Sequence, residues 1–438
     1  MKIANKIFIV FFILSGIIVT NAQDKMTLDL EQSIQLGLKN NSALHGSKMN
    51  MALYEAKLNE AKTYFLPTLN FNASYTRLSE IDPFEIITPF GKFNISPTFF
   101  NQYNFKLSLQ QPVFTGFKLT SSKNIAEYYS MASKEDYTKA EKDLIFNIKN
   151  AYWNLFKANQ MQKVIEENIN QINSHLNDIK NLFDQGMATN NDVLKVQVQL
   201  ADVTLKQIDI TNAVQIATVA LNNLIGIPLS TEVSISEQVV NDEIEMESLA
   251  VLMESAYKNR ADLKSMNYKV EASNEGIDLA KSDWFPQIYI SGNYYYSNPN
   301  QRILPSVDKF NGTWDVSLSL SLNLWNWGAT NDRKTQAEMQ YKQAQDYYST
   351  LKDAVKLDIT SSYLNLKKSE QKIIVAENSV KEAEENYRVT KDKFNNGLIS
   401  NSELLDAEVA LLQAKTNNIN AVADNKIAAA NLNKAIGN

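Results

Sequence analysis

The chain has 438 residues, a formal net charge of −6 and a pI near 5.3. It contains no cysteine, which excludes a disulfide framework, a thiol nucleophile and a thiolate metal site. Mild acidity without a basic patch argues against nucleic acid as a partner, and 13 Gly and 9 Pro are few for this length, as a mostly helical protein requires.

The chain opens on a processing signal. Lys2 and Lys6 precede an apolar run from Ile7 to Val19, and Thr20-Asn21-Ala22 supplies short residues for cleavage. That run is too short to span a bilayer and fits a secretory signal peptide over residues 1–22, with the mature chain starting near Gln23. No later stretch is long and apolar enough for a transmembrane helix. Thr27 to Asn40 reads as a short amphipathic helix with Leu28, Leu30, Ile34, Leu36 and Leu38 as its apolar positions, and a second helix runs from Ser42 to Lys62. It stops before Pro67, because the residue preceding proline is pushed out of the helical region. The period then changes to two. Leu69, Phe71, Ala73 and Tyr75 alternate with Asn70, Asn72, Ser74 and Thr76, the pattern of a half-buried strand. Leu78 to Phe100 reads as a loop, and Tyr103, Phe105, Leu107 and Leu109 form a second alternating run.

From Lys118 to Gln185 there is neither Gly nor Pro, and apolar residues recur at steps of three and four: Leu144, Ile148, Tyr152, Leu155, Met161, Ile165, Ile169, Ile172, Leu176, Ile179 and Phe183. This is one long helix with a narrow packing seam. At about 1.5 Å rise per residue it extends roughly 100 Å. Gly186 stops it, and Thr189 to Leu224 is a further helix closing at Gly226 and Pro228. A second stretch free of Gly and Pro runs from Ala329 to Asn396. Two rods of this length do not fit inside a compact enzyme.

The chain repeats itself. Tyr152 lines up with Tyr363, Phe183 with Phe394, Gly186 with Gly397 and Gly226 with Gly437, all at one offset. Lys39-Asn40 and Pro67 pair with Lys258-Asn259 and Pro286 at an offset larger by eight, and the difference falls in the strand-to-strand loop, where length changes cost little. The expected organisation is a first repeat over 23–230, an inter-repeat segment over 231–248 and a second repeat over 249–438. In the second half, Ile288, Ile290, Tyr294 and Tyr296 mark one strand, and Trp314, Val316, Leu318, Leu320, Leu322 and Leu324 the other.

Each half thus supplies two strands long enough to cross a bilayer when tilted. The same alternation would serve a soluble sandwich. Aromatic placement favours the membrane, because Trp284, Trp314, Trp325 and Trp327, four of the five tryptophans, sit at or beside strand ends. Four strands do not close a membrane barrel, and an open edge in lipid leaves backbone groups unsatisfied, so copies of the chain must pool their strands.

The ordered motifs resemble the TolC family of outer-membrane efflux channels over nearly the whole mature length. They are Pro67 and Pro286 before the strands, Gln111-Pro112-Val113-Phe114-Thr115-Gly116 entering the long helix, the turns Phe183-Asp184-Gln185-Gly186-Met187-Ala188-Thr189 and Phe394-Asn395-Asn396-Gly397-Leu398-Ile399-Ser400, and Leu224-Ile225-Gly226-Ile227-Pro228. The resemblance implies a mainly α fold with a membrane β-barrel contribution, assembled as a homotrimer: a β-barrel in outer-membrane lipid, an α-helical barrel through the periplasm, and a belt built partly from the inter-repeat segment. It implies an exit duct that works with a periplasmic adaptor (a membrane fusion protein) and an inner-membrane transporter. It also implies that Gly186, Met187, Gly397 and Leu398 are adaptor-contact tips, and that Glu403 and Asp406, with Asp192, form an acidic ring at the periplasmic constriction. The residues admit a simpler reading too: Ser400-x-x-Glu403 and Thr189-x-x-Asp192 are capping boxes. Ile399 and Phe394 replace a basic residue and a tyrosine of the best-known members, so the closed state must be held differently here. His45 and His175 lack ligand spacing and are expected on solvated helix surfaces. No catalytic residue, metal or cofactor is assigned. The competing reading is a secreted or periplasmic coiled-coil interaction or adaptor protein.

Overall fold

The computed structural model describes residues 26–80, 85–94, 99–236 and 247–438. The signal-peptide reading and most of the inter-repeat segment fall outside these residues. The elements in chain order are β1 (Met26–Leu28), α1 (Leu30–Asn40), α2 (Ser42–Thr63), β2 (Thr68–Arg77), β3 (Glu85–Thr88), β4 (Gly91–Asn94), β5 (Asn101–Thr115), α3 (Lys118–Asp184) and α4 (Asn190–Ile225). They continue with β6 (Val233–Ile235), α5 (Leu249–Asn259), α6 (Ala261–Lys281), a 3-10 turn at Ser282–Trp284, β7 (Gln287–Asn298), β8 (Asn311–Ser321), α7 (Ala329–Asn395) and α8 (Asn401–Ala435). Helices α3 and α7 each have 67 residues. Two compact units are each drawn from both halves of the chain: one from the described parts of Met1–Asn40, Asn147–Asp242 and Ile373–Asp424, the other from Asn41–Phe146, Glu243–Lys372 and Asn425–Asn438.

The second of these units contains a four-stranded antiparallel sheet in the order β2-β5-β7-β8. Its register sorts the side chains. Phe71, Leu107, Tyr294 and Trp314 lie opposite one another across all four strands, as do Leu69, Leu109, Gly292 and Val316. The rows between them are polar: Asn70, Ser108, Asn293 and Asp315, then Asn72, Lys106, Tyr295 and Thr313. One face is therefore apolar and the other polar, as period-two alternation dictates. A bulge at Val113, between Pro112 and Phe114, returns Phe114 to the apolar face opposite Ile288. Much of the apolar face is exposed in the protomer, with Trp314 71% and Leu318 70% exposed. Strand β8 ends at Ser321, short of the expected Leu324. The segment expected as a loop from Leu78 to Phe100 contains the small hairpin β3–β4, whose pairs Ile86–Phe93 and Ile87–Lys92 close around Pro89-Phe90. Its strands are only four residues long, too short for periodicity to separate them from a loop.

The same unit has a helical core. Leu252 and Ala256 of α5, Leu263 of α6, Val355, Ile359 and Leu366 of α7, and Ala429, Leu432, Ala435 and Ile436 of α8 pack together. Arg260 sits at the corner between α5 and α6, where an extended backbone (φ −63°, ψ 121°) ends one helix and starts the next. Its guanidinium grips Asp262 with two bonds (3.0 and 2.7 Å), Asp358 of α7 at 2.8 Å and the Ala435 carbonyl of α8 at 3.0 Å. Gly437 (φ +81°) closes α8 against this corner, and a Cβ there would lie 2.9 Å from the Arg260 nitrogen.

In the other unit, Thr27 and Leu28, expected at the start of the helix, belong with Met26 to a strand paired in parallel with Val233–Ile235. The helix starts later because Asp29 caps it: its Oδ1 accepts from Gln32 N at 2.7 Å, while Gln32 Oε1 accepts from Asp29 N at 3.0 Å. That reciprocal box starts the helix at Leu30 and leaves Leu28 free to pair. Gly226 (φ +71°) ends α4 against the corner at Asn40, where a Cβ would meet Asn40 Cβ at 2.7 Å. The end-of-repeat glycines thus serve a close backbone approach as well as a helix stop.

Burial pushes the Asp262 carboxyl up, but its bonds to Arg260 pull it further down, to a net position below the usual carboxylate range. A depressed folded-state value means that the stabilisation is present at neutral pH and lost as pH falls through that value. Arg260→Gln is therefore expected to cost about 2–3 kcal/mol at neutral pH, read as a lower melting temperature in detergent. The difference from the wild type should shrink on acidification.

Candidate functional site

The tips of the two long hairpins are built by the same turn. At the end of α3, Met187 N donates to Leu182 O (2.8 Å) and Gly186 N to Phe183 O (2.8 Å). At the end of α7, Leu398 N donates to Lys393 O and Gly397 N to Phe394 O, both at 2.9 Å. This is the Schellman arrangement, with Gly186 at φ +78° and Gly397 at φ +70°. The residue after each glycine, Met187 or Leu398, projects an exposed apolar side chain, whereas Phe394 and Ile399 pack into the core.

The returning helices begin on caps. Thr189 and Asp192 form a full capping box, and the Thr189 hydroxyl and amide bonds hold the Asp192 carboxyl below its usual range. Ser400 Oγ accepts from Glu403 N at 3.4 Å and donates to Glu403 Oε1 at 3.1 Å, so both acids predicted in the first turns are engaged at caps. Asp406 is exposed and has no such duty. The two tips lie side by side: Asn401 Nδ2 donates to the Asp192 carbonyl (3.2 Å) and Lys195 Nζ to Ser402 Oγ (2.9 Å). Leu182, Met187, Phe394 and Ile399 line a cleft between them. A shallow groove beside it joins Leu194, Lys195 and Val198 of α4 to Leu405, Asp406 and Val409 of α8.

Behind the tips, Ile165, Ile172, Leu176 and Ile179 of α3 pack with Val193, Val196 and Val203 of α4, Phe394 of α7, and Leu404 and Leu412 of α8. This core contains a surprise. His175, expected on a solvated surface, is only 4% exposed, and its Nδ1 lies within hydrogen-bond distance, 3.2 Å, of Oε2 of Glu408, itself 1% exposed. Its ring also meets Phe394 edge to face at 5.3 Å. The expectation failed because only apolar residues were counted along the seam. Ile165, Asn168, Ile172, His175 and Ile179 follow steps of 3, 4, 3 and 4, so Asn168 and His175 occupy core positions, and both are buried. His45 is exposed, as expected.

In the sheet unit, Trp314, Trp325, Trp327 and Trp284 are all exposed in the protomer, as is Phe117. Phe117 and Trp327 take left-handed backbone beside Gly116 and Gly328, at the junctions where strands pass into α3 and α7. The fifth tryptophan, Trp153, is buried between Tyr152 and Phe156.

No described helix is long and apolar enough to cross a membrane. The exposed apolar sheet face, the polar face behind it and the duplicated helical hairpins together define a class: outer-membrane proteins that pair a strand contribution with very long helices. The chain belongs to the outer membrane efflux protein family, whose sequence model matches residues 33–227 and 252–438. It is 24% identical over 322 residues to outer membrane protein TolC of Vibrio cholerae, covering 72% of each chain. It is 21% identical over 417 residues to the probable efflux pump outer membrane protein TtgC of Pseudomonas putida, covering 93% of this chain and 82% of that one. Its fold matches the CmeC outer membrane channel of Campylobacter jejuni with a TM-score of 0.79 at 19% identity, over 93% of this chain and 85% of that one.

His175→Leu would strand the Glu408 carboxylate in an apolar core and is expected to cost about 3–5 kcal/mol. The double variant His175→Leu/Glu408→Leu should recover most of that loss. Thermal melting of the two proteins side by side checks both expectations.

Proposed function

We propose that this protein is the outer-membrane exit duct of a tripartite efflux or export system, carrying small molecules or other substrates from an inner-membrane pump to the exterior. The observation that carries the reading is the two-faced sheet. Its outer strands β2 and β8 each pair on one side only among the described residues. Three protomers would bring twelve strands, enough to exceed the roughly eight of the smallest membrane barrels. The apolar rows would then meet lipid, with Trp284, Trp314, Trp325 and Trp327 at its interfaces, and the polar rows would line water. The helical hairpins would form an α-barrel reaching into the periplasm. Exposed Leu194, Val198, Leu205 and Ile208 of α4 supply apolar surface for neighbouring protomers. The repeats over 23–230 and 249–438, joined by the belt segment 231–248, are the unit of this organisation.

In this reading Gly186, Met187, Gly397 and Leu398 meet a periplasmic adaptor. An exposed apolar residue at each tip suits the apolar seam of another helical hairpin. No catalysis and no cofactor are assigned. The purified protein is expected to run as a trimer in detergent, by native mass, and to form ion-conducting pores in planar bilayers. A monomer that needs no detergent would overturn the proposal.

Glu403, Asp406 and Asp192 would line the periplasmic mouth, Glu403 and Asp192 while also engaged at their helix caps. Three copies of these acids in a confined throat concentrate negative potential, so polyvalent cations added on the periplasmic side should block the pore. Asp406→Asn should relieve that block with little change in stability, since Asp406 lies beyond the capping turn. Unchanged block in single-channel recordings would show that Asp406 does not face the pore.

A further inference from the structure

The polar face of the sheet carries little charge. Over the four paired rows that place Ser74, Asn72, Asn70 and Thr68 opposite residues of β5, β7 and β8, only Lys106 and Asp315 are ionic. Asp315 is drawn into contact with the segment that joins β7 to β8, residues 299–310, while Lys106 lies over the Tyr295 ring of β7. That segment is fastened to both faces of the sheet.

On the polar side, Asn300 is 3% exposed, and its Nδ2 donates to Asn311 O (3.0 Å) and Thr313 Oγ1 (3.3 Å). Asn300 Oδ1 accepts from the Arg302 backbone at 3.0 Å, which sets the direction of the next side chain. The Arg302 guanidinium then reaches back over the sheet: Nη2 donates to Asp315 Oδ2 at 2.6 Å and Nη1 to the Trp314 carbonyl at 3.0 Å. It also lies 5.3 Å from the centre of the Tyr295 ring, which Lys106 Nζ approaches at 5.4 Å. On the apolar side, Phe310 packs on Tyr296 (5.1 Å), Tyr103 (5.7 Å) and Phe105 (6.2 Å). Between the segment and the polar face lies a cleft whose walls include Ser74, Thr76, Gln102, Asn104 and Ser297. A connection that merely joined two strands would need none of these bonds. This one crosses the sheet end and lies over the face that bears the polar rows.

We propose that residues 299–310 form a strap across the outward mouth of the duct and that Arg302, pinned to Asp315, sets the aperture of that mouth. The inference rests on the duct reading, which makes the polar face the channel wall. Three straps, one from each protomer, then narrow the mouth together. The Arg302–Asp315 pair is the part of the fastening that a single substitution can release, because Asn300 and Phe310 hold the two ends of the segment independently.

The test uses the full-length protein in planar bilayers. Arg302→Gln and Asp315→Asn should each raise the unitary conductance, and the charge exchange Arg302→Asp/Asp315→Arg should return it towards the wild-type value. Conductances equal to the wild type in both single variants would overturn the strap, and an exchange no different from the singles would overturn the pin. Thiol accessibility reads the same motion without current. The chain has no cysteine of its own, so Asn104→Cys places one thiol in the cleft. A bulky thiol reagent should modify it faster when Arg302→Gln or Asp315→Asn is added, and equal rates would count against the strap. A wild-type protein that forms no pore would overturn the duct reading instead, and the labelling rates would still decide whether the segment is pinned.

Discussion

The structure depends on how the outermost strands of its sheet are satisfied. Strand β2 pairs only with β5, and β8 only with β7, among the described residues, so each outer strand keeps a row of backbone donors and acceptors facing outward. In water such an edge is an aggregation hazard; in hydrocarbon each unpaired group costs several kcal/mol. The apolar face sharpens the constraint. Phe71, Leu107, Tyr294 and Trp314 form an uninterrupted row across the strands, and all four are exposed in the protomer. A soluble sandwich would bury this row against a second sheet, and the described residues include no such partner sheet. In the proposed reading, a closed sheet made from several chains with lipid outside would satisfy both the edges and the face. The alternation of single residues would then be linked to assembly through backbone hydrogen bonding.

Duplication repeats the backbone more faithfully than the side chains. Both passages from strand to long helix use a left-handed pair, but the first reads Gly116-Phe117 and the second Trp327-Gly328. Each keeps one glycine and accepts one aromatic in a conformation that costs an L-residue about 1–2 kcal/mol. The corner between the two short helices shows the same freedom. Asn41 caps α2 with its own side chain, accepting from Ala43 N and Leu44 N at 3.0 Å. At the equivalent corner Arg260 makes no cap bond and instead ties together Asp262, Asp358 and Ala435. What is conserved between the halves is a chain direction; the chemistry that holds it is local.

Sequence periodicity made most of the fold legible because the signals were long. A helix of 67 residues without Gly or Pro leaves no competing reading, and the alternation in β5 and β8 is regular enough to fix the faces before any register is known. The failures fell where a polar residue does structural work. Asp29-x-x-Gln32 is a capping box that moves the start of α1 past Leu28, and it was hidden by the apolar leucines on either side. The hairpin β3–β4 is too short for a period to show. The capping roles of Asp192 and Glu403 were readable from Thr189 and Ser400, because a cap is a contact between near neighbours in the chain. The His175–Glu408 contact joins residues 233 positions apart, and only the seam arithmetic on α3 pointed to one half of it.

That contact shows what the core of the tip-bearing unit is built for. Replacing His175 and Glu408 by leucines would remove the desolvation cost of two polar groups, so stability alone does not account for the pair. Asn168 Oδ1 and His175 Nε2, both on α3, are buried without a protein partner, which adds to that cost. In the other unit the ionic contact sits at a corner rather than within a seam: Arg260 and Asp262 meet where α5 passes into α6. An aliphatic seam of evenly spaced Ile, Leu and Val tolerates sliding by a heptad with little penalty, because one apolar knob fits a hole much as the next does. A histidine that must meet one glutamate does not. Any shift of α3 along α8 leaves both groups buried and unpaired, so the pair fixes the register of the two hairpins at the end where their tips must lie side by side.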